Sequence, residues 1–387
     1  MKAIVCGAGI AGLSTAFWLA RGGWDVLLVE KARGPREEGY MIDFFGSGYD
    51  AAERMGLLPR LIEIAYRPAS AAWVNQAGRE QASLDYDLFR KVLKGRVLSL
   101  MRGDLERVLY EALPSSIEVR FNVTVAEVHS VRGGVDLTLS GGDRIFADLL
   151  VGADGIHSRV RGLVFGAEER YLRYLGFHTA AYLFDDLAIR DSLEGRFLIY
   201  SEPKREVGLY AIRGGRIASF FVHNSSDPAL PVSPIENLRD AYEGMGWLVP
   251  ETLKAGENAT SIYYDQVAQI EMDAWRKGHA VLVGDAAYAV SLLAGHGASL
   301  GMGGAYVLAQ ELGKSGPIEK ALARYETRLK PQITKKQASG RNAAKWVVPP
   351  DRLHILMRNW SLKLAKLPGM SVLLNPVLVA GSESVVN

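Results

Sequence analysis

The first thirty residues restrict the fold more than any other part of the chain. Residues 2–6 (KAIVC) are an apolar run of strand length. Residues 11–22 (AGLSTAFWLARG) carry Ala, Leu and Trp at helical spacing, and residues 25–30 (DVLLVE) form a second apolar run. Between the first run and the helix stands Gly7-Ala8-Gly9-Ile10-Ala11-Gly12. Strand, glycine turn, helix and strand in about thirty residues make one βαβ unit. In such a turn the first glycine permits the bend, the second lets backbone approach a pyrophosphate, and the third lets helix and strand pack closely. The helix N-terminus beyond it offers free N–H groups to an anion. Glu30 ends the second run, where an acid can accept hydrogen bonds from a ribose. The glycine pattern alone is weak; with strand, helix and acid in place it predicts a Rossmann-type dinucleotide site.

The rest of the chain alternates between two textures. Residues 148–153 (DLLVGA) and 279–285 (HAVLVGD) are further buried-strand runs, and residues 102–113 have helical spacing. Residues 117–150 hold three short alternating runs, the last two joined by Gly133-Gly134. From about 170 to 225, YLGFHTAAYLF, RFLIYS, EVGLYAI and RIASFFVHN alternate, with Gly214-Gly215 as a hairpin signal. This predicts an α/β chain: a discontinuous nucleotide-binding domain (1–68, 97–165 and 275–316) and an inserted antiparallel β-sheet substrate domain (69–96 and 166–274). A C-terminal helical region (317–387) follows. It reads as a long basic helix, a break at Pro349-Pro350, and an amphipathic helix, RLHILMRNWSLKLAKL.

Charge and cysteine content exclude several functions. The formal net charge of +2 gives no field for nucleic acid. One cysteine, Cys6, rules out an intramolecular disulfide or a redox-active pair, and hence a disulfide reductase on this fold. Seven histidines and one cysteine suggest no metal site. The apolar N-terminal stretch is broken by Gly7, Gly9, Gly12 and Arg21, so it is read as nucleotide site and not as a secretory signal. No run reaches the ~18 residues of a membrane helix. A cytoplasmic monomer or homodimer is expected.

Two later segments decide which dinucleotide. VGADGIHSRVR (151–161) and AVLVGDAAYAVSLLAGHGASLGMGGAYVLAQEL (280–312) resemble, in order and spacing, the second and third signatures of the class A flavoprotein monooxygenases, the para-hydroxybenzoate hydroxylase-like family. The resemblance covers roughly residues 1–165 and 275–330 and implies FAD, with NAD(P)H as a transient co-substrate. It implies that Gly284-Asp285 meets the ribityl chain and that Gly295, Gly297, Ala298 and the helix start lie along the isoalloxazine. Asp154-Gly155 would sit near the pyrophosphate, Arg102 against the ribityl-phosphate region, and Lys31 beside Glu30. Asp154 could instead cap the helix around Ser158–Arg161. GYMIDFFGSGYDAAERMGL (39–57) looks like the equivalent stretch of the tetracycline-inactivating and antibiotic-tailoring hydroxylases. That likeness implies flavin contact for Asp43 and NADPH contact for Arg36. Those enzymes bridge their two domains with a C-terminal helix, which implies the same here; the alternative for the amphipathic segment is a membrane-surface helix.

The departures are specific. The proline common before the flavin loop is missing from Tyr288-Ala289-Val290-Ser291-Leu292-Leu293. Gly295-His296-Gly297 replaces Gly-Gln-Gly, and Gly303-Gly304 replaces an acidic residue. His296 is a candidate acid or base beside the ring. Substrate candidates on the second sheet are His178, Tyr200, Tyr210, Arg213 and Phe221, of which alternation places about half toward the cofactor. The function implied is NAD(P)H- and O2-dependent oxidation of a small aromatic or polyketide-like molecule. The alternatives are a flavin-dependent halogenase, whose Trp-x-Trp-x-Ile-Pro segment is missing, and a non-catalytic flavin or ligand binder.

Overall fold

The structure is a computed structural model and describes residues 1–35, 40–365 and 383–386. Arg36 and the end of the amphipathic segment from Lys366 lie outside the described residues.

The expected βαβ unit forms the centre of a six-stranded sheet. Lys2–Cys6 pairs in parallel with Asp25–Glu30 on one side and Leu149–Gly152 on the other. Glu118–Phe121 extends one edge, Ala280–Leu282 the other, and Arg276–Lys277 closes it as a short antiparallel strand. The central strands are buried on both faces; the helix Ile10–Arg21 and a three-stranded sheet both pack against them. The Gly133-Gly134 hairpin forms within a separate three-stranded sheet of Val125–Val131, Gly134–Leu139 and Arg144–Ala147.

The second sheet has seven strands, ordered Tyr263–Ile270, Leu172–Phe184, Ile217–Asn224, Arg205–Ala211, Phe197–Glu202, Ser70–Val74 and Glu80–Asp85. Its pairs are antiparallel except Phe197–Glu202 with Ser70–Val74. One face packs under Pro234–Ala241 and Val249–Gly256, where Tyr182, Phe221, Leu238 and Tyr242 share a core. The other face looks toward the nucleotide-binding sheet. A two-stranded ribbon, Met41–Phe45 with Val97–Met101, forms the seam between the sheets.

The bridge is made by the long helix Ile318–Val347, not by the amphipathic helix that follows. Near its start Tyr325 bonds Leu282 O at 3.2 Å, behind the nucleotide site. At its end Trp346 meets Trp73 of the second sheet at 6.5 Å, and Val347 and Val348 pack with Phe177, Val222 and Val267. The last helix, Arg352–Ala365, lies on the second sheet through Arg358, and its Leu362 joins the core that holds Trp73 of that sheet and Phe45 of the seam.

Candidate active site

A cleft of about 530 Å³ opens at the carboxyl ends of the parallel strands. Open α/β sheets bind ligands there. The glycine turn meets its expected geometry. A Cβ on Gly12 would lie 1.8 Å from Gly7 O, so helix and strand touch there, and Gly12 stays behind the cleft wall. A Cβ on Gly9 would meet nothing nearer than 3.7 Å, so its backbone is open to a ligand. Ala11 packs beneath Gly284 and Gly301, drawing the third motif against the first.

Glu30 does more than wait for a ribose. It is 8% exposed; its carboxylate accepts from Ala8 N at 2.7 Å and Ala32 N at 2.8 Å, pinning the glycine turn. Lys31 is exposed at the same end of the cleft. Arg102 opens the helix Arg102–Glu111, lines the cleft and pairs with Glu106 at 2.8 Å.

The two candidate aspartates differ in kind. Asp154 lines the cleft, but its carboxylate accepts from Ser158 Oγ at 2.5 Å and Val160 N at 3.0 Å, holding the start of the helix Arg159–Phe165. Gly155, beside it at φ 83°, faces open space. Asp285 is exposed within the cleft. Burial among protein groups pushes its pKa up, and Arg102 pulls against that. Among the described residues none donates a hydrogen bond to it, and its carboxylate stands on the cleft wall open to a ligand donor.

The segment before the glycine loop is held by groups from outside it. Ala289 O accepts from Ile270 N and from Gln337 Nε2, at 3.1 and 3.2 Å. Val290 O accepts from Gln269 Nε2 at 3.0 Å. Ser291 stands at φ 90°, a strained conformation for a non-glycine residue, and its Oγ accepts from Leu293 N. Gly295, Gly297 and Ala298 line the cleft beyond. Gly303-Gly304 is a packing device. A Cβ on Gly304 would lie 2.0 Å from Tyr288 Oη, and one on Gly303 would lie 2.7 Å from Ser47 Cβ and 2.8 Å from Val385.

Several expected site residues stand elsewhere. Alternation along Met41–Phe45 puts Ile42 on the cleft, whereas Asp43 is absent from its wall. Asp43 turns to the seam, where Ser99 Oγ and Tyr86 Oη donate to it at 2.7 and 3.2 Å. His296 N-caps the helix Gly297–Leu312 and does not line the cleft. Its ring packs edge-on against Phe45 at 5.2 Å, and burial pushes its pKa down to about 4, so it is neutral near pH 7. His178, Tyr200 and Phe221 fall on the far face of the second sheet. Tyr200 and Phe221 belong to the core under the covering helices, and His178 bonds Tyr264 Oη at 3.0 Å. Arg213 lies at the sheet end, paired with Asp104 at 2.9 Å. Tyr210 faces the seam and bonds Met41 N.

The sequence reading missed Tyr40 and Tyr263, which line the cleft 5.9 Å apart, with Phe220 5.6 Å from Tyr40. It also missed His157, although that residue sits inside a quoted motif. His157 lines the cleft and joins Glu168 at 2.8 Å to Asp265 at 3.1 Å. Those two carboxylates raise its pKa to about 9.

The donor set fits an FAD: a helix start able to bind an anion, the acids Glu30 and Asp285 on the cleft, and a wall lined by Gly295, Gly297 and Gly301. Comparison with known proteins agrees. A model of the FAD binding domain matches residues 1–335. An uncharacterized protein of Mycobacterium tuberculosis (strain ATCC 25618 / H37Rv) is 34% identical over 322 residues, 81% of this chain and 85% of that protein. A flavin-dependent monooxygenase from an unknown prokaryotic organism is 30% identical, with 88% of each chain covered. The crystal structure of the tetracycline destructase Tet(55) superposes with a TM-score of 0.82 at 26% identity, covering 98% of this chain and 97% of that one. The chain belongs to the FAD binding domain family, and within it to the class A flavoprotein monooxygenases: it is an FAD-dependent oxidoreductase.

Proposed function

We propose that this monooxygenase uses NAD(P)H and O2 to hydroxylate or otherwise oxidise a small, flat, electron-rich molecule, aromatic or polyketide-like, in the cytoplasm. The aromatic wall of Tyr40 and Tyr263, with Phe220 packed against Tyr40, carries the reading, because the two tyrosines line the same cleft as the glycine-rich loop. Flat aromatic ligands bind such surfaces through buried area and ring stacking. The relatives' names point the same way: the Tet(55) structure is of a tetracycline destructase.

FAD, when bound, supplies the hydride acceptor and the centre for oxygen activation; the protein supplies position, electrostatics and dryness. Gly7, Gly9 and the start of the helix Ile10–Arg21 would hold the pyrophosphate. Glu30 would take the adenosine ribose, Asp285 the ribityl chain, and Gly295 to Gly301 the ring. Asp154 and Gly155 would shape the dinucleotide side of the cleft, with Asp154 acting through its helix cap. Phe177, Val222, Val267 and Val348 form an apolar layer on the seam side of the second sheet. A monooxygenase needs water kept from the reacting atoms to avoid releasing peroxide, and the cleft lining of Tyr40, Ile42, Tyr263 and Leu292 would serve that end. The division into a nucleotide-binding domain (1–68, 97–165 and 275–316) and a substrate domain (69–96 and 166–274) is part of this proposal.

The test supplies NADPH and labelled oxygen to a panel of phenols and enolic polyketides, tetracycline among them. The reading requires one labelled oxygen atom in a product. Chloride-dependent halogenation would favour a halogenase, and NADPH-independent ligand retention without turnover a binding protein.

A further inference from the structure

We propose that the outer face of the last helix, Arg352–Ala365, docks this enzyme on an anionic lipid surface. The helix has two opposed faces. On the inner one Arg358, 3% exposed, donates to Glu206 Oε2 and Ser201 Oγ, both at 2.8 Å, while Leu362, 2% exposed, joins the core of Phe45 and Trp73. That face accounts for the packing of the helix.

The outer face is the anomaly. Leu353, Leu356, Met357, Trp360 and Leu364 are 63, 56, 60, 64 and 39% exposed. At about 100° per residue, the five fall within an arc of about 100° on the side away from Arg358 and Leu362. Single exposed apolar residues are ordinary, but five in one stripe mark an interaction surface.

Charge selects the occupant. From Arg352 to Ser382 the sequence holds no Asp or Glu, while Arg352 and Lys363 are exposed cations and Arg358 is paired inward with Glu206. Arg352 and Lys363 stand three helical turns apart along one edge of the stripe. The preceding acid, Asp351, is bonded to His354 at 2.8 Å. A two-fold pairing of this face with a second copy would set cation against cation, with no acid on the stripe to answer them. A bilayer of anionic lipid meets both needs: acyl chains take Leu, Met and Trp, and headgroups take the flanking cations. The helix would lie in the interface, since no helix among the described residues is long and apolar enough to cross a membrane.

The experiment uses the full-length, FAD-loaded protein and two kinds of vesicle, phosphatidylcholine alone and phosphatidylcholine with phosphatidylglycerol. The protein should sediment with the anionic vesicles and stay in solution with the neutral ones. The difference between wild-type and Trp360→Phe emission spectra should shift to the blue on anionic vesicles. L356E/W360E should lose at least tenfold in partitioning while keeping its FAD content, melting temperature and NADPH oxidation rate. The proposal fails if that variant binds vesicles as well as wild type. It fails equally if Trp360 is shielded from acrylamide in the lipid-free monomer, which would assign the face to the chain's own residues 367–382. A dimer that L356E/W360E dissolves would assign it to a second copy, and would also overturn the proposal.

Discussion

Replacing Asp285 and Asp154 by alanine, one at a time, should separate a ligand-holding acid from a structural one. Asp154 holds Ser158 Oγ at 2.5 Å and Val160 N at 3.0 Å. Losing a carboxylate cap of this kind costs about 1–2 kcal/mol for the cap and about 1–3 kcal/mol for a buried donor left without a partner. Asp154→Ala should therefore lower apo-protein stability by about 2–5 kcal/mol. Asp285 has no such partner among the described residues, and Asp285→Ala should leave apo stability within ~0.5 kcal/mol of wild type. Its cost falls on the complex. A hydrogen bond from a ligand hydroxyl to a carboxylate contributes about 1.5–3 kcal/mol, so FAD affinity should drop about tenfold to a hundredfold. Denaturant unfolding of both apo-proteins, with FAD titration by flavin fluorescence quenching, measures the two quantities separately. An Asp285→Ala protein with wild-type FAD affinity would refute the placement of the ribityl chain, and the reading of residues 280–312 with it.

Three further outcomes follow from particular contacts. Glu30→Ala should weaken FAD binding about tenfold to a hundredfold and also destabilise the apo-protein, since Ala8 N and Ala32 N lose their acceptor; unchanged apo stability would mean that the turn is not pinned in solution. Gly304→Ala should cost about 1–3 kcal/mol despite alanine's better helix propensity, and adding Tyr288→Phe should recover most of it; a single mutant as stable as wild type would show that Tyr288 moves freely. His223 is 6% exposed, and burial pushes its pKa down to about 4. The unfolded chain therefore takes up a proton there as pH falls below about 6.5, and stability should decline from that pH towards 4. For His157, raised to about 9, the sign reverses, and its contribution is present below about 6.5 and lost as pH rises through 9. His223→Gln should flatten the acid limb of a stability–pH profile and His157→Gln the alkaline limb; wild-type-shaped limbs in both variants would contradict the assignments.

The nucleotide half was legible because its chemistry is local. Gly7 to Gly12, Asp154-Gly155 and Gly284-Asp285 each read from a few neighbouring residues, and a strand end fixes where each must point. The substrate half was not, because a strand's face is set by register. One residue separates Ile42, on the cleft, from Asp43, in the seam, and one separates Phe220, beside Tyr40, from Phe221, in the opposite core. Non-local substitutes were invisible for the same reason. Where the proline is missing, the carbonyls of Val290 and Ala289 accept from Gln269 and Gln337, and Gln337 comes from the long helix Ile318–Val347. The glycine pair at 303–304 reads as a lost acid in sequence and as room for Tyr288 and Val385 in the fold.

Anaerobic mixing of the FAD-loaded protein with NADPH or NADH, followed by admission of air, tests the central claim most directly. The account predicts that one of the two nucleotides bleaches the flavin absorbance without any partner reductase and that oxygen restores it. A flavin that neither nucleotide reduces, or a purified protein that takes up no FAD, would contradict it.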